Sequence, residues 1–299
     1  MAKNTLQEFS DALADAAERA GKSTVLVDAR RRIPASGIAY AGDLVLTADH
    51  VIEKEDDLKV TLPDGAVLAA RIAGRDSGSD LAVLKLDSSS ASPAEMTKTP
   101  ARVGQLVLAL GRPTTNGIEA SLGTVSAING PVRTGRGGML EKYIRTDTIS
   151  YPGFSGGPLV AADGTVVGIN TSGLSQGAAL TIPADLAWKI ADTLEKHGHI
   201  KRGYLGIRSQ TVEIPSDAQK SLKREQATGL LVMGLEKDSP ASKGGLMVGD
   251  ILTGIAGASI EHHDELFARL TGDVVGKSTP IEVLRGGEMK LVNVVIGER

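Results

Sequence analysis

The sequence predicts a mainly β protein with two β-barrels, followed by a smaller second domain. Three observations support this fold class. Apolar residues between about residues 23 and 181 recur with a period of two rather than 3.6, which indicates strands. Glycine-containing turns separate these short strands, as is typical of a barrel or a sandwich rather than a doubly wound sheet. One helical segment then separates this region from residues 199–299.

Four stretches define the strand region. The stretch "KVTLPDGAVLAARI" (59–72) predicts a hairpin around the turn at Asp64 and Gly65, and "PLVAADGTVVGINT" (158–171) predicts another around Asp163 and Gly164. The stretches "QLVLALG" (105–111) and "SLGTVSAING" (121–130) predict further strands. We expect the two barrels to meet near residue 105.

Two helices flank the strand region. Residues 4–20 carry apolar residues at helical spacing, which predicts an amphipathic helix that ends at Gly21. The apolar stripe consists of Leu6, Phe9, Leu13 and Ala17, and such a stripe is more often a packing face than a membrane anchor. Residues 183–198 predict a second helix that ends at Gly198. The expected domain limits are 1–22 for the N-terminal helical segment, 23–198 for the barrels and 199–299 for the last domain.

Composition excludes several function classes. The chain has 299 residues, 41% of them hydrophobic, so it can bury sizeable cores. The net charge is −3 and no basic block occurs, so nucleic-acid binding is not expected. There is no cysteine, which excludes disulfides, thiolate metal sites and a cysteine nucleophile.

Membrane and targeting signals are also missing from the sequence. No apolar run reaches the roughly 18 residues that a membrane-spanning helix needs. The first residues lack the apolar region of a signal peptide, so the chain as written is expected to be cytoplasmic.

Ser155 stands among glycines in "DTISYPGFSGGPLV" (147–160). The pattern fits the nucleophile elbow of an α/β-hydrolase, an exposed loop serine of a β-barrel enzyme, or merely a glycine-rich turn. A hairpin rather than a helix is predicted after Ser155, which argues against the elbow. His50 is the single histidine before Ser155, and Asp80 lies between them. The order His, Asp, Ser is that of one β-barrel class of hydrolase.

Other motifs have plainer interpretations. "GKS" at Gly21 lacks the first glycine of a phosphate-binding loop. The pairs His197 with His199 and His262 with His263 are interpreted as solvated histidines, and "RTGRGG" (133–138) as a hairpin loop rather than an anion site. We therefore expect no metal and no cofactor.

The blocks "TADHV", "DLAVLKL" and "GFSGGPLV" around His50, Asp80 and Ser155 resemble the trypsin-like proteases of the HtrA (Deg) family. In the second half, "GYLGI" (203–207) and "DSPASKGGLMVGDILTGIAGASI" (238–260) are similar to a bacterial PDZ domain. The resemblance covers about residues 23–299. It implies a two-barrel, chymotrypsin/trypsin-like protease domain followed by an α+β PDZ domain.

The resemblance implies roles for individual residues. Ser155 would be the nucleophile, His50 the general base and Asp80 the residue that orients His50. The N–H groups of Gly153 and Ser155 would form the oxyanion hole. The S1 substrate pocket is assigned to six uncharged residues: Thr148, Ile149, Ser150, Asn170, Thr171 and Ser172. A small uncharged pocket favours aliphatic side chains at the cleaved position.

Two residues depart from the family pattern. Asp49 precedes the catalytic histidine, where alanine or asparagine is common, and we expect it to be solvated or a turn partner because adjacent strand residues point to opposite faces. Phe154 precedes the nucleophile, where asparagine is common. Phenylalanine cannot form the ion pair that orders this loop in digestive relatives, so the sequence does not explain how the loop is ordered.

The PDZ resemblance implies that peptide C-termini bind beside "GYLGI". Backbone N–H groups of Leu205, Gly206 and Ile207 would hold the terminal carboxylate. Tyr204 and Leu266 complete the predicted groove.

The resemblance also implies a function, an assembly and a location. The chain would be a serine endopeptidase that cleaves unfolded or exposed polypeptide segments, acts in protein quality control and assembles as a homotrimer. The bacterial periplasm or cell envelope would be its location. Two alternatives remain: a catalytically silent peptide-binding or chaperone protein on the same fold, and an esterase with the same triad.

Overall fold

A computed structural model describes residues 4–88, 90–135, 138–174, 180–222 and 224–298. The chain divides into two compact units, Met1–Ile200 and Lys201–Arg299. Each unit has its own hydrophobic core.

The first unit begins with helix α1, Thr5–Gly21. The side chain of Asn4 caps it by accepting the backbone N–H of Gln7 at 3.4 Å, which satisfies one of the free donors of the first turn. The predicted stripe is divided along the helix: Leu6 is 75% exposed, whereas Leu13 packs against the barrel core. Only the second half of α1 is therefore packed against the unit.

The first barrel is closed by six antiparallel strands in the order β1-β2-β3-β6-β5-β4. The strands are β1 (Thr24–Asp28), β2 (Ala35–Ala41), β3 (Leu44–Ala48), β4 (Leu58–Thr61), β5 (Val67–Asp76) and β6 (Leu81–Leu86). A short 3₁₀ helix, Asp49–Val51, follows β3. Val, Leu, Ile and Ala side chains fill the interior, in line with the low aromatic content.

The second barrel also has six strands, in the order β11-β14-β13-β12-β7-β8. Its strands are β7 (Leu106–Thr114), β8 (Gly117–Asn129), β11 (Tyr143–Thr146), β12 (Pro158–Ala161), β13 (Val166–Thr171) and β14 (Leu180–Pro183), while β9 (Val132–Arg133) and β10 (Met139–Leu140) pair with each other. The barrel begins at Leu106, one residue beyond the expected junction. The two-barrel fold class is confirmed.

Helix α2, Ala184–His197, closes the first unit. It ends at Gly198, which adopts a left-handed conformation with φ of +79° and donates its N–H to the Leu194 carbonyl at 2.8 Å. A residue without Cβ adopts this conformation at little energetic cost, which explains why the helix ends at Gly198. Ile190 and Leu194 are among the α2 side chains buried against the barrels.

The second unit combines one main sheet with short helices. Its strands are β15 (Gly203–Tyr204), β16 (Ile207–Glu213), β17 (Thr228–Leu235), β18 (Ile251–Ile255), β19 (Ala258–Ser259), β20 (Ser278–Arg285), β21 (Glu288–Val295) and β22 (Gly297–Glu298). Its α-helices are α3 (Ser216–Gln219), α4 (Pro240–Gly244) and α5 (His263–Arg269), with 3₁₀ helices at Lys220–Leu222 and Gly272–Val274. The sheet order is β16-β17-β18-β20-β21, so β16 forms one edge.

Within the described ranges, no helix has both the length and the apolar character needed to cross a bilayer.

Candidate active site

Asp80 and His50 lie in contact at the end of the first barrel. His50 is in the 3₁₀ helix after β3, and Asp80 comes just before β6, with a positive φ of +56°. The Asp80 carboxylate accepts the backbone N–H of His50 at 2.9 Å and lies 2.7 Å from His50 Nδ1. Asp80 is completely buried. A carboxylate in this position places the ring proton on Nδ1 and leaves Nε2 as an acceptor.

The end of β13 connects all three candidate catalytic residues. The Thr171 hydroxyl donates a hydrogen bond to the Asp80 carboxylate. Ser172 Oγ lies 3.2 Å from Ser155 Oγ. A Cβ at Gly173 would lie 2.5 Å from Asp80 Oδ2 and 2.6 Å from His50 Nδ1, so this position admits only glycine. The three consecutive residues 171–173 thus hold the serine, the histidine and the aspartate at one place.

Ser155 lies in the loop before β12. Gly153 has φ of +92° and Gly156 has φ of +86°, conformations that favour glycine. Across the described residues, neither the N–H of Gly153 nor that of Ser155 donates to a protein acceptor. These two donors are therefore free to bind an oxyanion, which is the role that the sequence predicted for them.

The hydroxyl of Ser155 is not bonded to the histidine in this structure. Its hydrogen-bond partner is the Ser172 hydroxyl, and His50 Nε2 has no hydrogen-bond partner in the part of the chain that the structure describes. Catalytic hydrogen bonds of ligand-free enzymes are often long or badly aligned and form when substrate binds.

Phe154 provides an apolar anchor for the serine loop. Its side chain is completely buried in a core cluster of the second barrel. Its ring contacts that of Tyr151 edge-to-face, with 5.4 Å between the centroids. A Cβ at Gly111 of β7 would lie 2.5 Å from the Phe154 ring, so a glycine opposite makes room for the phenyl group. The residue that departs from the family pattern therefore orders the loop by packing rather than by charge.

The expectation for Asp49 as a solvated residue is wrong. Asp49 is only 2% exposed and pairs with Arg75 of β5, with 2.6 Å between Arg75 Nε and Asp49 Oδ1. The Arg75 guanidinium also lies 3.4 Å from the carbonyl oxygens of Asp49 and Ile52. The reason is that Asp49 and His50 lie on a 3₁₀ helix, where the alternation of a strand does not apply. The ion pair braces the turn that carries His50.

The six residues assigned to the S1 pocket have different surroundings. Ile149 and Ser150 are exposed, and the Ile149 N–H donates to Ser121 Oγ at 2.8 Å. Thr148 Oγ1 lies 2.7 Å from Thr146 Oγ1.

The side chains of Asn170 and Thr171 are both buried and form hydrogen bonds within the protein. The Asn170 amide donates to the Pro158 carbonyl at 2.9 Å and accepts from the Thr181 hydroxyl at 2.8 Å, while Thr171 binds Asp80. Any contribution of these two residues to a pocket would come from their backbone. Ser172 is directed toward Ser155.

The residues predicted to form the peptide groove include Tyr204, Leu205, Gly206 and Ile207, which lie where β16 begins. Gly206 has φ of +76°, and a Cβ there would collide with the Ser239 side chain. The Tyr204 hydroxyl donates to the Glu236 carboxylate. Leu205 and Leu266 are each only 2% exposed and belong to the core of the unit, whereas Ile207 is half-buried.

His263, which is not among the predicted groove residues, contacts the edge strand of the second unit. It is the first residue of α5, and its Nε2 lies 3.0 Å from Ser209 Oγ and 3.2 Å from the Ser209 carbonyl oxygen on the edge strand β16. Its ring stacks on that of Phe267, with centroids 6.5 Å apart. From the sequence, His263 is interpreted together with His262 as a solvated histidine rather than a metal ligand. Its position at the start of an amphipathic helix was the signal that could have placed it beside the strand.

Two of the remaining motifs lie at helix ends. Gly21 is the last residue of α1, and His197 is the last residue of α2. Among the residues that the structure places, no group of three His, Cys, Asp or Glu side chains could hold a metal. The predicted loop 133–138 includes Arg136 and Gly137, which lie outside the described residues.

Two family descriptions match the chain. "Trypsin-like peptidase domain" matches residues 35–169, and "PDZ domain" matches residues 203–296. The first range contains His50, Asp80 and Ser155. The second contains the predicted peptide groove.

Related proteins of known name agree with these matches. A probable periplasmic serine endoprotease DegP-like protein of Halomonas elongata is 35% identical over 276 residues, which is 90% of this chain and 57% of that protein. A protein with the same name from Rhizobium meliloti is 34% identical over 278 residues, which is 90% of this chain and 54% of that protein. The chain thus spans little more than half the length of these relatives.

Solved structures cover the chain more completely. The HtrA-type protease AlgW with a tripeptide has a TM-score of 0.76 and 31% identity, over 96% of this chain and 97% of that one. The serine endoprotease from Yersinia pestis has a TM-score of 0.78 and 28% identity, over 96% and 98% of the two chains. Fold, domain order and sequence similarity agree: the chain belongs to the HtrA (Deg) family, with a trypsin-like peptidase domain followed by a PDZ domain.

Proposed function

We propose that this chain is a serine endopeptidase that cleaves unfolded or exposed polypeptide segments. Ser155 is the nucleophile, His50 the general base and Asp80 the residue that orients His50. The observation that carries the proposal is the double contact of Asp80 with His50, next to a serine whose loop leaves two backbone N–H groups free. Relatives named serine endoproteases support it.

The chemistry follows from this arrangement. His50 Nε2 accepts the proton of Ser155 while Oγ forms a bond to the peptide carbonyl carbon. The carbonyl oxygen takes the negative charge and receives hydrogen bonds from the N–H groups of Gly153 and Ser155. Protonated His50 then gives its proton to the departing amine, and Asp80 stabilises the imidazolium. Water repeats the sequence on the acyl-enzyme and releases the second product.

The contact between Ser155 and Ser172 adds a step before attack. Ser155 Oγ has to leave its 3.2 Å contact with Ser172 and turn toward His50 Nε2. A serine side chain makes such a turn by rotating between staggered positions.

The S1 pocket is proposed to accept a small aliphatic side chain. The residues assigned to it carry no charge, and Asn170 and Thr171 use their polar groups within the protein. A lysine or arginine of the substrate would find no carboxylate partner among these residues. Discrimination between aliphatic side chains in such a pocket is worth only about 10–200-fold, so we expect broad specificity.

The PDZ domain is proposed to bind the C-termini of peptides. The edge strand β16 can accept an added strand, and the backbone N–H groups of Leu205, Gly206 and Ile207 would hold the terminal carboxylate. Two solved structures of one relative, the HtrA-type protease AlgW, contain a tripeptide and a decapeptide, which supports peptide as the class of ligand.

Location, assembly and domain limits complete the proposal. The relatives are named periplasmic, which supports the bacterial periplasm or cell envelope. We propose a homotrimer of protease domains. Domain limits of 23–198 and 199–299 are supported by the division after Ile200 and by the PDZ match that starts at residue 203.

Hydrolysis of casein and of a small ester by the full chain tests the function. We expect cleavage of casein that is lost in Ser155→Ala. Hydrolysis of the ester alone would favour an esterase. Binding of casein without hydrolysis of either compound would favour the catalytically silent peptide-binding or chaperone protein.

A further inference from the structure

Ser36 connects the first barrel to the serine loop of the second. It lies on β2 and is completely buried. Its hydroxyl lies 2.6 Å from the Gly153 carbonyl oxygen, and its backbone N–H donates to the Ser155 carbonyl at 3.2 Å. The Ser36 hydroxyl also accepts the backbone N–H of Arg112 at 2.8 Å, so its own proton goes to Gly153.

These bonds hold the peptide groups on both sides of the Ser155 N–H. The peptide group that begins with the Gly153 carbonyl is also held at its other end, because the Phe154 N–H donates to the Tyr151 carbonyl at 3.0 Å. The peptide group that begins with the Ser155 carbonyl is likewise held at its other end. There the Gly156 N–H donates to the Asn170 carbonyl at 2.8 Å. Because peptide groups are planar, fixing the two neighbours restricts the direction of the Ser155 N–H between them.

Arg112 continues the connection to the N-terminal helix. Its guanidinium donates to the Gly21 carbonyl, the end of α1, at 3.0 Å and to the Thr24 carbonyl at 2.7 Å. Only 9% of Arg112 is exposed, and burial lowers the pKa of its guanidinium. Within the described ranges no carboxylate pairs with it. The C-terminal end of a helix carries a partial negative charge, which stabilises a buried cation. The end of α1 therefore stabilises the buried guanidinium of Arg112.

We propose that Arg112 and Ser36 are positioning residues, through which the packed end of α1 orients the oxyanion loop Gly153–Ser155. This inference rests on the proposed protease function. Two consecutive residues of β7 act on the loop. Gly111 leaves space for the Phe154 ring, and the backbone N–H of Arg112 binds the Ser36 hydroxyl. The N-terminal helix is thereby a part of the catalytic framework, although it lies outside the range matched by the peptidase family description.

The test uses the full chain with the variants Ser36→Ala and Arg112→Gln. Ser36→Ala removes the hydroxyl that binds Gly153. Arg112→Gln removes the guanidinium that binds Gly21 of α1 and Thr24 of β1, but keeps the backbone bond to Ser36. Loss of one oxyanion donor costs about 10²–10³ in turnover, so misorientation of the loop should lower kcat for casein about tenfold or more. We expect KM to change less than about twofold, because the altered groups act on the transition state.

Arg19→Gln is the matched control. Arg19 lies in the last turn of α1, is exposed, and contacts the Asp163 carbonyl instead of the serine loop. We expect its kcat to equal that of the unaltered chain. Arg112→Lys, which keeps the charge and one donor, should recover part of the loss.

Hydrogen exchange of the segment 151–157, measured by mass spectrometry, provides a readout that needs no activity. We expect faster exchange there in Arg112→Gln and in Ser36→Ala, and unchanged exchange in Arg19→Gln. If the unaltered chain shows no proteolysis, the proposed function fails, and the exchange data still decide the positioning role.

Two results would overturn the inference. Unchanged kcat and unchanged exchange in both folded variants would show that neither residue orients the loop. An effect of Ser36→Ala without one of Arg112→Gln would remove the connection to α1. Thermal unfolding shows whether each variant is folded; if Arg112→Gln is not, Arg112→Lys takes its place in both measurements.

Discussion

Asp80 binds His50 at two points, through the ring Nδ1 at 2.7 Å and through the backbone N–H at 2.9 Å. The same carboxylate accepts the Thr171 hydroxyl. Asp80 thereby fixes both the orientation of the imidazole and the turn that carries it. Asp49, the neighbour of His50 in the chain, makes its ion pair with Arg75 instead.

This difference predicts unequal effects of two Asp→Asn substitutions. Asp80→Asn should lower kcat about 10⁴-fold, because an amide favours the wrong tautomer of His50. Asp49→Asn should have a much smaller effect, since it acts only on the turn. Initial rates of casein hydrolysis measure both. An equal or larger loss in Asp49→Asn would show that Asp49 rather than Asp80 orients His50.

Ser155 should react with a fluorophosphonate probe, since such probes label serines that a neighbouring base activates. Peptide mapping should find the label on Ser155 alone, and Ser155→Ala should prevent labelling. Loss of the nucleophile in such a unit lowers turnover about 10⁶-fold. Proteolysis by purified Ser155→Ala would contradict the assignment.

The PDZ domain should distinguish peptides with a free C-terminus from amidated ones. Amidation removes the charge that the N–H groups near Gly206 would bind, so affinity should fall at least about tenfold. The measurement is a titration of full-length Ser155→Ala, which cannot cleave the peptide, with matched acid and amide forms that end in an aliphatic residue. Gly206→Ala is a useful second variant, because a Cβ there would collide with Ser239. Equal affinities for the acid and amide forms of the peptide would show that the domain does not recognise the C-terminal carboxylate.

Assembly should depend on the exposed end of α1. Leu6 is 75% and Phe9 43% exposed, although both belong to an apolar stripe that another surface can bury. We expect light scattering to give a mass of about three chains and the double variant Leu6→Ser with Phe9→Ser to dissociate more readily. A stable mass of 31.0 kDa at all concentrations would exclude the trimer.

Acid should weaken the turn between β12 and β13 that contains Asp163. The Thr165 hydroxyl donates to Asp163 at 2.7 Å and is the main cause that lowers the pKa of this carboxyl below 3.8. A lowered folded-state pKa contributes stability above 3.8 that is lost as the pH falls through the folded value. Thr165→Val should therefore lower the urea midpoint at neutral pH.

The same variant should differ less from the unaltered chain at an acid pH below the lowered folded-state pKa of Asp163, where the carboxyl is protonated in both. Urea unfolding curves at the two pH values make the comparison. A difference that stays constant with pH would assign the effect to lost packing rather than to the carboxylate.

Much of the fold was predictable from local patterns. The hairpins around Gly65 and Gly164 form where the sequence places them, and both glycines have positive φ. Helix α1 ends on Gly21, as its stripe and its glycine predicted. Such features depend on residues only a few positions apart, so they are visible without a structure.

The surroundings of the candidate site were less predictable. From the alternation of a strand, Asp49 was expected to be solvated or a turn partner, whereas it is buried on a 3₁₀ turn and paired with Arg75. Thr171 was assigned to the S1 pocket, and its hydroxyl binds Asp80. The catalytic roles of His50, Asp80 and Ser155 stay predictions that the experiments above test.

The sequence by itself determined the two barrels, the domain order and the family, because periodicity, turn residues and ordered motifs are local properties of the chain. Only the tertiary structure decided what orders the serine loop. Ser36 and Gly153 are 117 residues apart, and Arg112 and Gly21 are 91 apart. A hydrogen bond between residues so distant exists only once both barrels have closed and α1 has packed, so no local pattern could have indicated it.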